Sequence, residues 1–89
     1  MQKRLGRLLA VAREDRGLTH AEVGERTRGA VSAATAAMLE AGAIEEPVPS
    51  QLRTLARLYR LDCLDVFQAA GIVRASDFQR RKTPVRRAA

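Results

Sequence analysis

The side chains of this chain that can do chemistry are mainly cations. Of its 89 residues, 16 are Lys or Arg and 10 are Asp or Glu, so the formal net charge is +6 and the sequence pI is about 11.0. Six of the cations lie in the last sixteen residues: Arg74, Arg80, Arg81, Lys82, Arg86 and Arg87. A charge of this sign favours a polyanionic partner, with nucleic acid ahead of an anionic membrane surface.

Residues typical of catalysis or metal binding are scarce. The chain has one cysteine, Cys63, and one histidine, His20, and the two are far apart in the sequence. A single cysteine cannot form an internal disulfide, and its position predicts a small buried hydrophobe rather than a nucleophile or metal ligand. We therefore predict that the protein is not an enzyme and needs no metal or other cofactor.

The positive charge is concentrated at the two ends of the chain. Residues 74–89 carry six cations and one anion, for a net charge of +5. Residues 19–48 carry two cations and five anions, for a net charge of −3. Electrostatic attraction to a polyanion should therefore come mostly from the termini, and a contact made by the middle of the chain must work against its own acidity.

The elements that position these side chains are helical. Leu5, Leu8, Leu9 and Ala12 follow the spacing of one helix face and predict a first helix over residues 2–16. Only 3% of the residues are aromatic, so the core must be built from aliphatic side chains.

The central stretch predicts two short helices joined by a turn. Thr19 followed by Glu22 is a capping box, which predicts a helix beginning at His20. Gly29 tolerates a positive φ and interrupts this helix, and Ser32 then serves as the N-cap of a third helix. Gly42 is the expected end of that helix.

Two further helices complete the predicted core. After the proline-containing loop of residues 43–50, Ser50 is expected to cap a fourth helix. Asp62 is expected to cap a fifth helix, with Leu64 and Phe67 pointing inward, that ends at Gly71. The predicted fold is all-α, a compact five-helix domain over residues 1–73.

Residues 74–89 have too little apolar surface to offset the entropy of ordering, so they are predicted to form a basic, flexible tail. The sequence has neither a signal-peptide pattern nor a long apolar run, and we expect a soluble cytoplasmic protein without membrane association.

The order of these features resembles a known family. The segments RLGRLLAVAREDRGLTHAEVGERT, AVSAATAAMLEAG and PSQLRTLARLYRLDCLDVF, over residues 3–73, resemble the Cro and phage-repressor helix-turn-helix family, often called XRE. The resemblance implies a lambda-repressor-like five-helix domain, usually dimeric, whose third helix enters the major groove of DNA.

The resemblance also implies roles for individual residues. His20 occupies a position that often contacts the DNA backbone, and Arg13 and Glu40 match a structural ion pair between the first helix and the recognition helix. The exposed recognition positions are occupied by Ser32, Ala33, Ala34, Thr35 and Met38.

The chain departs from the family pattern in three places. The turn before the third helix is two residues longer, so Arg28 and Gly29 have no counterpart. Alanines replace polar side chains at positions 33 and 34, and an alanine can offer only an apolar contact to a thymine methyl group. Glu45 and Glu46 occupy a loop that is commonly basic.

Two functions are compatible with these features. The first is a transcriptional regulator of repressor type that binds double-stranded DNA as a homodimer. In this interpretation Thr19, His20, Ser32 and Thr35 contact the backbone, Arg28 lies at the groove edge, and the tail follows the phosphates. The alternative is that the alanine-rich third helix and Met38 form an apolar face that binds a protein partner.

Overall fold

The computed structural model describes residues 2–72 and places five helices in them. These are α1 (Lys3–Asp15), α2 (His20–Arg26), α3 (Ala33–Glu40), α4 (Pro49–Tyr59) and α5 (Cys63–Ala69). No strand occurs within the described range, so the predicted all-α class is confirmed there. The predicted basic tail, with its six cations, lies outside the described residues.

The core is aliphatic and draws on every helix. α1 packs against α3, α4 and α5, α2 packs against α3, and α4 packs against α5. The side chains buried below 2% exposure with the largest volumes are Leu5, Leu9, Val23, Val31, Leu39, Leu52, Leu55 and Val66. Tyr59 is the large aromatic side chain of this core, and burial, with a smaller contribution from the Glu40 carboxylate, raises its pKa to about 12. The phenol is therefore neutral at physiological pH.

α1 approaches the end of α3 at Gly6. A Cβ atom at this position would lie 2.9 Å from the carbonyl carbon of Glu40 and would overlap the carbonyl oxygen. Only a residue without a side chain permits this separation of the two backbones. Gly6 was not singled out from the sequence, because a glycine inside a helical pattern carries no signal of what lies opposite it.

Gln2 ties the start of α1 to two later parts of the chain. Its backbone N–H donates to the carbonyl of Gly42 at 3.2 Å. Its side-chain amide donates to the carbonyls of Glu45 at 3.1 Å and Ala70 at 3.0 Å. One side chain thus holds the first turn of α1, the α3–α4 loop and the end of α5 together.

The expected N-cap of α4 was wrong. The helix begins at Pro49, Val48 occupies the N-cap position, and no side chain caps the helix. Proline suits the first helical position because its φ angle is already helical and its missing N–H would have had no partner there. Ser50 lies inside the first turn instead, where its carbonyl accepts a hydrogen bond from the Thr54 hydroxyl at 3.0 Å.

The inward face of α5 also differs from the expectation. Asp62 caps the helix as predicted, its carboxylate accepting from the Leu64 N–H at 2.8 Å. Cys63, however, is exposed, and the buried residues are Val66 and Ala70, with Phe67 only partly covered. Because α5 has only seven residues, its inward face is narrow, and a shift of one position moves Cys63 to solvent.

We expect Gly6→Ala to destabilise the domain by about 1–3 kcal/mol, because a methyl group forced against backbone atoms must push α1 away from α3. Gly24→Ala is the matched control: its Cβ would lie 3.4 Å from the nearest atom, the Ala33 nitrogen, and alanine favours the helix by roughly 0.5–1 kcal/mol. Urea denaturation measures the free energy of unfolding of both variants. Equal values for the two variants would contradict the close approach of α1 to α3.

Candidate nucleic-acid interface

The start of α2 is a complete capping box. The Thr19 hydroxyl accepts from the Glu22 N–H at 3.1 Å, and the Glu22 carboxylate accepts from the Thr19 N–H at 2.8 Å. The hydrogen bond from the Thr19 N–H, with a smaller contribution from the Thr19 hydroxyl, lowers the pKa of the Glu22 carboxyl group. The prediction from the spacing of Thr19 and Glu22 is confirmed. The Thr19 hydroxyl is consequently engaged with its own helix.

The start of α3 is capped in a similar way. The Ser32 hydroxyl accepts from the Thr35 N–H at 3.1 Å and donates to the Thr35 hydroxyl at 3.0 Å. Ser32 is therefore the predicted N-cap, and its hydroxyl and that of Thr35 are hydrogen-bonded to each other. Both side chains fix where α3 begins and thereby fix the direction of the helix axis.

The turn between α2 and α3 is a Schellman motif with an arginine in its left-handed position. The Gly29 N–H donates to the Gly24 carbonyl at 2.9 Å, and the Arg28 N–H donates to the Glu25 carbonyl at 3.1 Å. Arg28 has φ 55° and Gly29 has φ 82°. The expectation of a positive φ at Gly29 is confirmed, and Arg28 adopts one too. Glycine usually occupies the position of Arg28, because a Cβ atom there costs roughly 1–2 kcal/mol.

Thr27 holds this turn from inside. Its hydroxyl donates to the Val23 carbonyl at 2.9 Å and accepts from the Val31 N–H at 3.1 Å. The side chain thus connects the last turn of α2 to the residue before the α3 cap. This role was missed in the sequence. The available signal was a threonine placed directly before a turn and four residues before an apolar residue. This pattern is too common to predict the role of Thr27.

Three helices meet at the carboxylate of Glu40. Arg13 on α1 donates from Nε to Glu40 Oε2 at 2.7 Å and from Nη2 to Oε1 at 3.2 Å. His20 Nε2 on α2 lies 3.0 Å from Glu40 Oε1. The side chains of Arg13 and Glu40 are only 13% and 11% exposed. The ion pair implied by the family resemblance is present, and it also fixes His20.

Arg13 has a second function in this cluster. Its Nη1 donates to the Leu18 carbonyl at 2.6 Å, which connects α1 to the segment leading into α2. The hydrogen bond to Glu40 is the main cause that raises the pKa of Arg13, against the opposing effect of burial. Its charge is therefore permanent, and the Glu40 carboxylate always has a cation beside it.

The outward face of α3 is small and apolar. Ala36 and Leu39 are buried in the core, whereas Ala34 is exposed and Met38 is 49% exposed. Ala33 and Thr35 are half-buried. No charged side chain lies on α3 before Glu40, so the face that would meet a ligand offers van der Waals contact rather than hydrogen bonds.

The structure brings most of the predicted contact residues into one region. Thr19 and His20 start α2, Ser32 starts α3, and Arg28 is exposed in the turn between these helices. Glu45 and Glu46 are exposed in the loop after α3. The predicted phosphate contacts Arg74, Arg80, Arg81, Lys82, Arg86 and Arg87 fall outside the described residues.

The described part of the chain offers neither a metal site nor a membrane-spanning helix. Across residues 2–72, no group of three or more His, Cys, Asp or Glu side chains is arranged to hold a metal ion. None of the five helices described has both the length and the apolar character needed to cross a bilayer.

A family model described as a helix-turn-helix domain matches residues 4–67. The chain therefore belongs to this family of XRE-like helix-turn-helix domains. The match covers α1 to α4 and most of α5, and with it the capped turn described above. Membership indicates a DNA-binding regulator, in a family that is typically non-enzymatic. Comparison with curated proteins and with solved structures found no match.

We expect Glu40→Ala to lower the free energy of unfolding by about 2 kcal/mol, because Arg13 would keep its charge in a largely covered position without its bidentate partner. Glu14→Ala is the control. Glu14 also lies near Arg13, at 3.7 Å, but is 69% exposed, so its loss should cost less than about 0.5 kcal/mol. Chemical denaturation near neutral pH compares the free energies of unfolding of the two variants. A similar loss in both would contradict the role of Glu40 as the main partner of Arg13.

Proposed function

We propose that this protein is a cytoplasmic transcriptional regulator that binds double-stranded DNA as a homodimer and inserts the start of α3 into the major groove. The observation that carries the proposal is the exposed, uncharged outward face of α3, placed next to the start of α2 in a helix-turn-helix domain. A face made of Ala34 and Met38 is narrow enough for a groove and can contact thymine methyl groups.

The proposed contacts divide into two groups. Ala33, Ala34 and Met38 face the bases, and because they lack hydrogen-bonding groups, their sequence discrimination rests on apolar contact. Thr19, His20, Ser32 and Thr35 border the backbone. Since the hydroxyls in this second group are engaged in caps, their contribution is mainly to set the position of the helix ends.

Arg28 supplies the charge at this site. It keeps a left-handed backbone conformation at which glycine would be more stable, and it is exposed directly before α3. Strained residues of this kind are concentrated at functional sites. A guanidinium group in this place suits a phosphate or a guanine at the edge of the groove. Arg28 thus lowers the stability of the domain but places a cation where it can contact DNA.

A second candidate function has its own support. Met38 is 49% exposed, and Ala34 and Ala41 are exposed near it, which forms an apolar surface suited to a protein partner. In that case α3 would dock on a partner instead of DNA. The carboxylates of Glu45 and Glu46 after this helix would then face the partner rather than a phosphate backbone.

Ala34→Glu distinguishes the two candidates. If α3 enters the groove, a carboxylate at position 34 points toward phosphates, and duplex affinity selected from random sequences should fall below detection. Thermal stability should stay within about 0.5 kcal/mol because the position is exposed and Glu is a good helix former. Unchanged duplex binding together with loss of a co-purifying protein would favour the interaction module.

We expect Arg28→Gly to stabilise the domain by about 1 kcal/mol and to weaken duplex binding by roughly 1–3 kcal/mol if the guanidinium reads a base, and less for one phosphate. Arg60→Gly is the matched control, because Arg60 also has a left-handed backbone, with φ 58°, and its loss removes the same charge. It should give the same stabilisation with little effect on binding. Equal binding by both variants would contradict the role of Arg28.

A further inference from the structure

A basic surface lies beside the start of α3, next to the uncharged outward face of that helix. It is a groove of about 320 Å³ between the α2–α3 turn and the middle of α4. The residues that line it are Arg26, Thr27, Arg28, Thr54, Arg57 and Leu58. Three of these six are arginines and none is acidic, although the segment 19–48 as a whole carries a net charge of −3.

The arginines of this groove are available to a ligand. Among residues 2–72, the salt bridges of arginine involve Arg13, so Arg26, Arg28 and Arg57 form no salt bridge there, and the Glu22 carboxylate interacts with Arg26 only at longer range. All three arginines are exposed. Three neighbouring guanidinium groups without a salt-bridged carboxylate repel each other and attract an anion with several acceptor oxygens, for which phosphate is the typical example.

The groove is continuous with the proposed DNA surface. Arg28 and Thr27 belong to the turn that leads into the Ser32 cap of α3. On the other side, the side-chain amide of Gln51 donates to the Ala30 carbonyl at 3.3 Å and holds the first turns of α4 against this turn. On α4 the groove is lined by Thr54, Arg57 and Leu58, and Arg57 lies about 12 Å along the helix from Pro49.

The charge on the two sides of α3 is therefore opposite. The loop after α3 exposes Glu46, whose carboxylate repels a phosphate backbone. The turn before α3 and the adjacent face of α4 present the three arginines. A DNA strand lying against this domain is therefore attracted on the side of the turn and repelled on the side of the loop.

From this asymmetry we propose that the groove between Arg26, Arg28 and Arg57 holds backbone phosphates of the DNA strand that flanks α3. This inference rests on the proposed function and adds to it Arg26 and Arg57, which had no assigned role. The phosphate contacts of the folded domain then come from the α2–α3 turn and α4, and the acidic α3–α4 loop stays away from the strand.

The test is the salt dependence of duplex affinity, measured with the full chain. In the double variant R26Q/R57Q, the slope of log K against log salt should fall by about 1.8, because each phosphate contact contributes about 0.9. If both proteins bind equally at 1 M salt, this difference in slope gives a loss of affinity of about 60-fold at 0.1 M salt. R26K/R57K keeps both charges and should retain most of the slope.

The matched control is R4Q/R7Q. It removes the same charge from α1, where Arg4 and Arg7 line a separate groove against α5. A charge effect without contact would reduce the slope equally in both double variants, and that result would overturn the inference. Thermal denaturation of each variant shows whether the helices remain folded at the temperature of the binding assay.

The outcomes separate this inference from the function on which it rests. If A34E abolishes binding but R26Q/R57Q leaves the slope of the wild-type chain unchanged, the function holds and the groove assignment is wrong. If R26Q/R57Q lowers the slope while A34E binds normally, the groove holds DNA and the entry of α3 is wrong. If the wild-type chain binds no duplex, the proposed function and the groove assignment are both wrong.

Discussion

The arrangement of the first three helices depends on one carboxylate, that of Glu40. This carboxylate accepts two hydrogen bonds from Arg13 on α1 and contacts His20 on α2. The backbone carbonyl of Glu40 lies against Gly6. A charge in this position is stable only when a fixed partner compensates for lost hydration. Because Arg13 also contacts the Leu18 carbonyl, the same pair positions the segment that leads into α2. The angle between α2 and α3 is thus fixed by side-chain contacts that join α1, α2 and α3.

The ligand surface itself has few uncommitted hydrogen-bonding groups. The hydroxyls of Thr19, Ser32 and Thr35 cap helices, and the hydroxyl of Thr27 holds the turn. What remains is an apolar face on α3 and arginines around it. In the proposed complex with DNA, such a surface would give affinity chiefly through charge and sequence preference through methyl contacts and the shape of the duplex. Its affinity would then depend strongly on ionic strength.

Local chemistry in the sequence was sufficient for the fold. The capping box at Thr19, the Ser32 and Asp62 caps and the leucine spacing of α1 are interactions between residues close in sequence, and all were predicted correctly. The start of α4 was misjudged because a serine and a proline compete for the same turn and either can begin a helix. Cys63 was misplaced because a seven-residue helix gives too few positions to fix its inward face.

The site was less predictable, for a different reason. The pairing of Arg13 with Glu40 followed only from the family resemblance, and the contact of His20 with the same carboxylate did not follow from any pattern. The groove needs Arg26, Arg28 and Arg57 to meet, although α3 and the α3–α4 loop separate the first two from the third along the chain. Contacts of this kind depend on tertiary packing, which one sequence does not encode as a local signal.

The hydrogen bonds of Gln2 have a consequence for the way the chain acquires its structure during synthesis. The side chain that begins α1 is made first, but its acceptors are the carbonyls of Glu45 and Ala70, the second of them 68 residues later. The first turn of α1 therefore lacks its hydrogen bond to the end of α5 until that helix has been synthesised. A nascent chain that ends before residue 70 has only the contacts of this turn with α3 and the α3–α4 loop, and the set is complete only once α5 is complete.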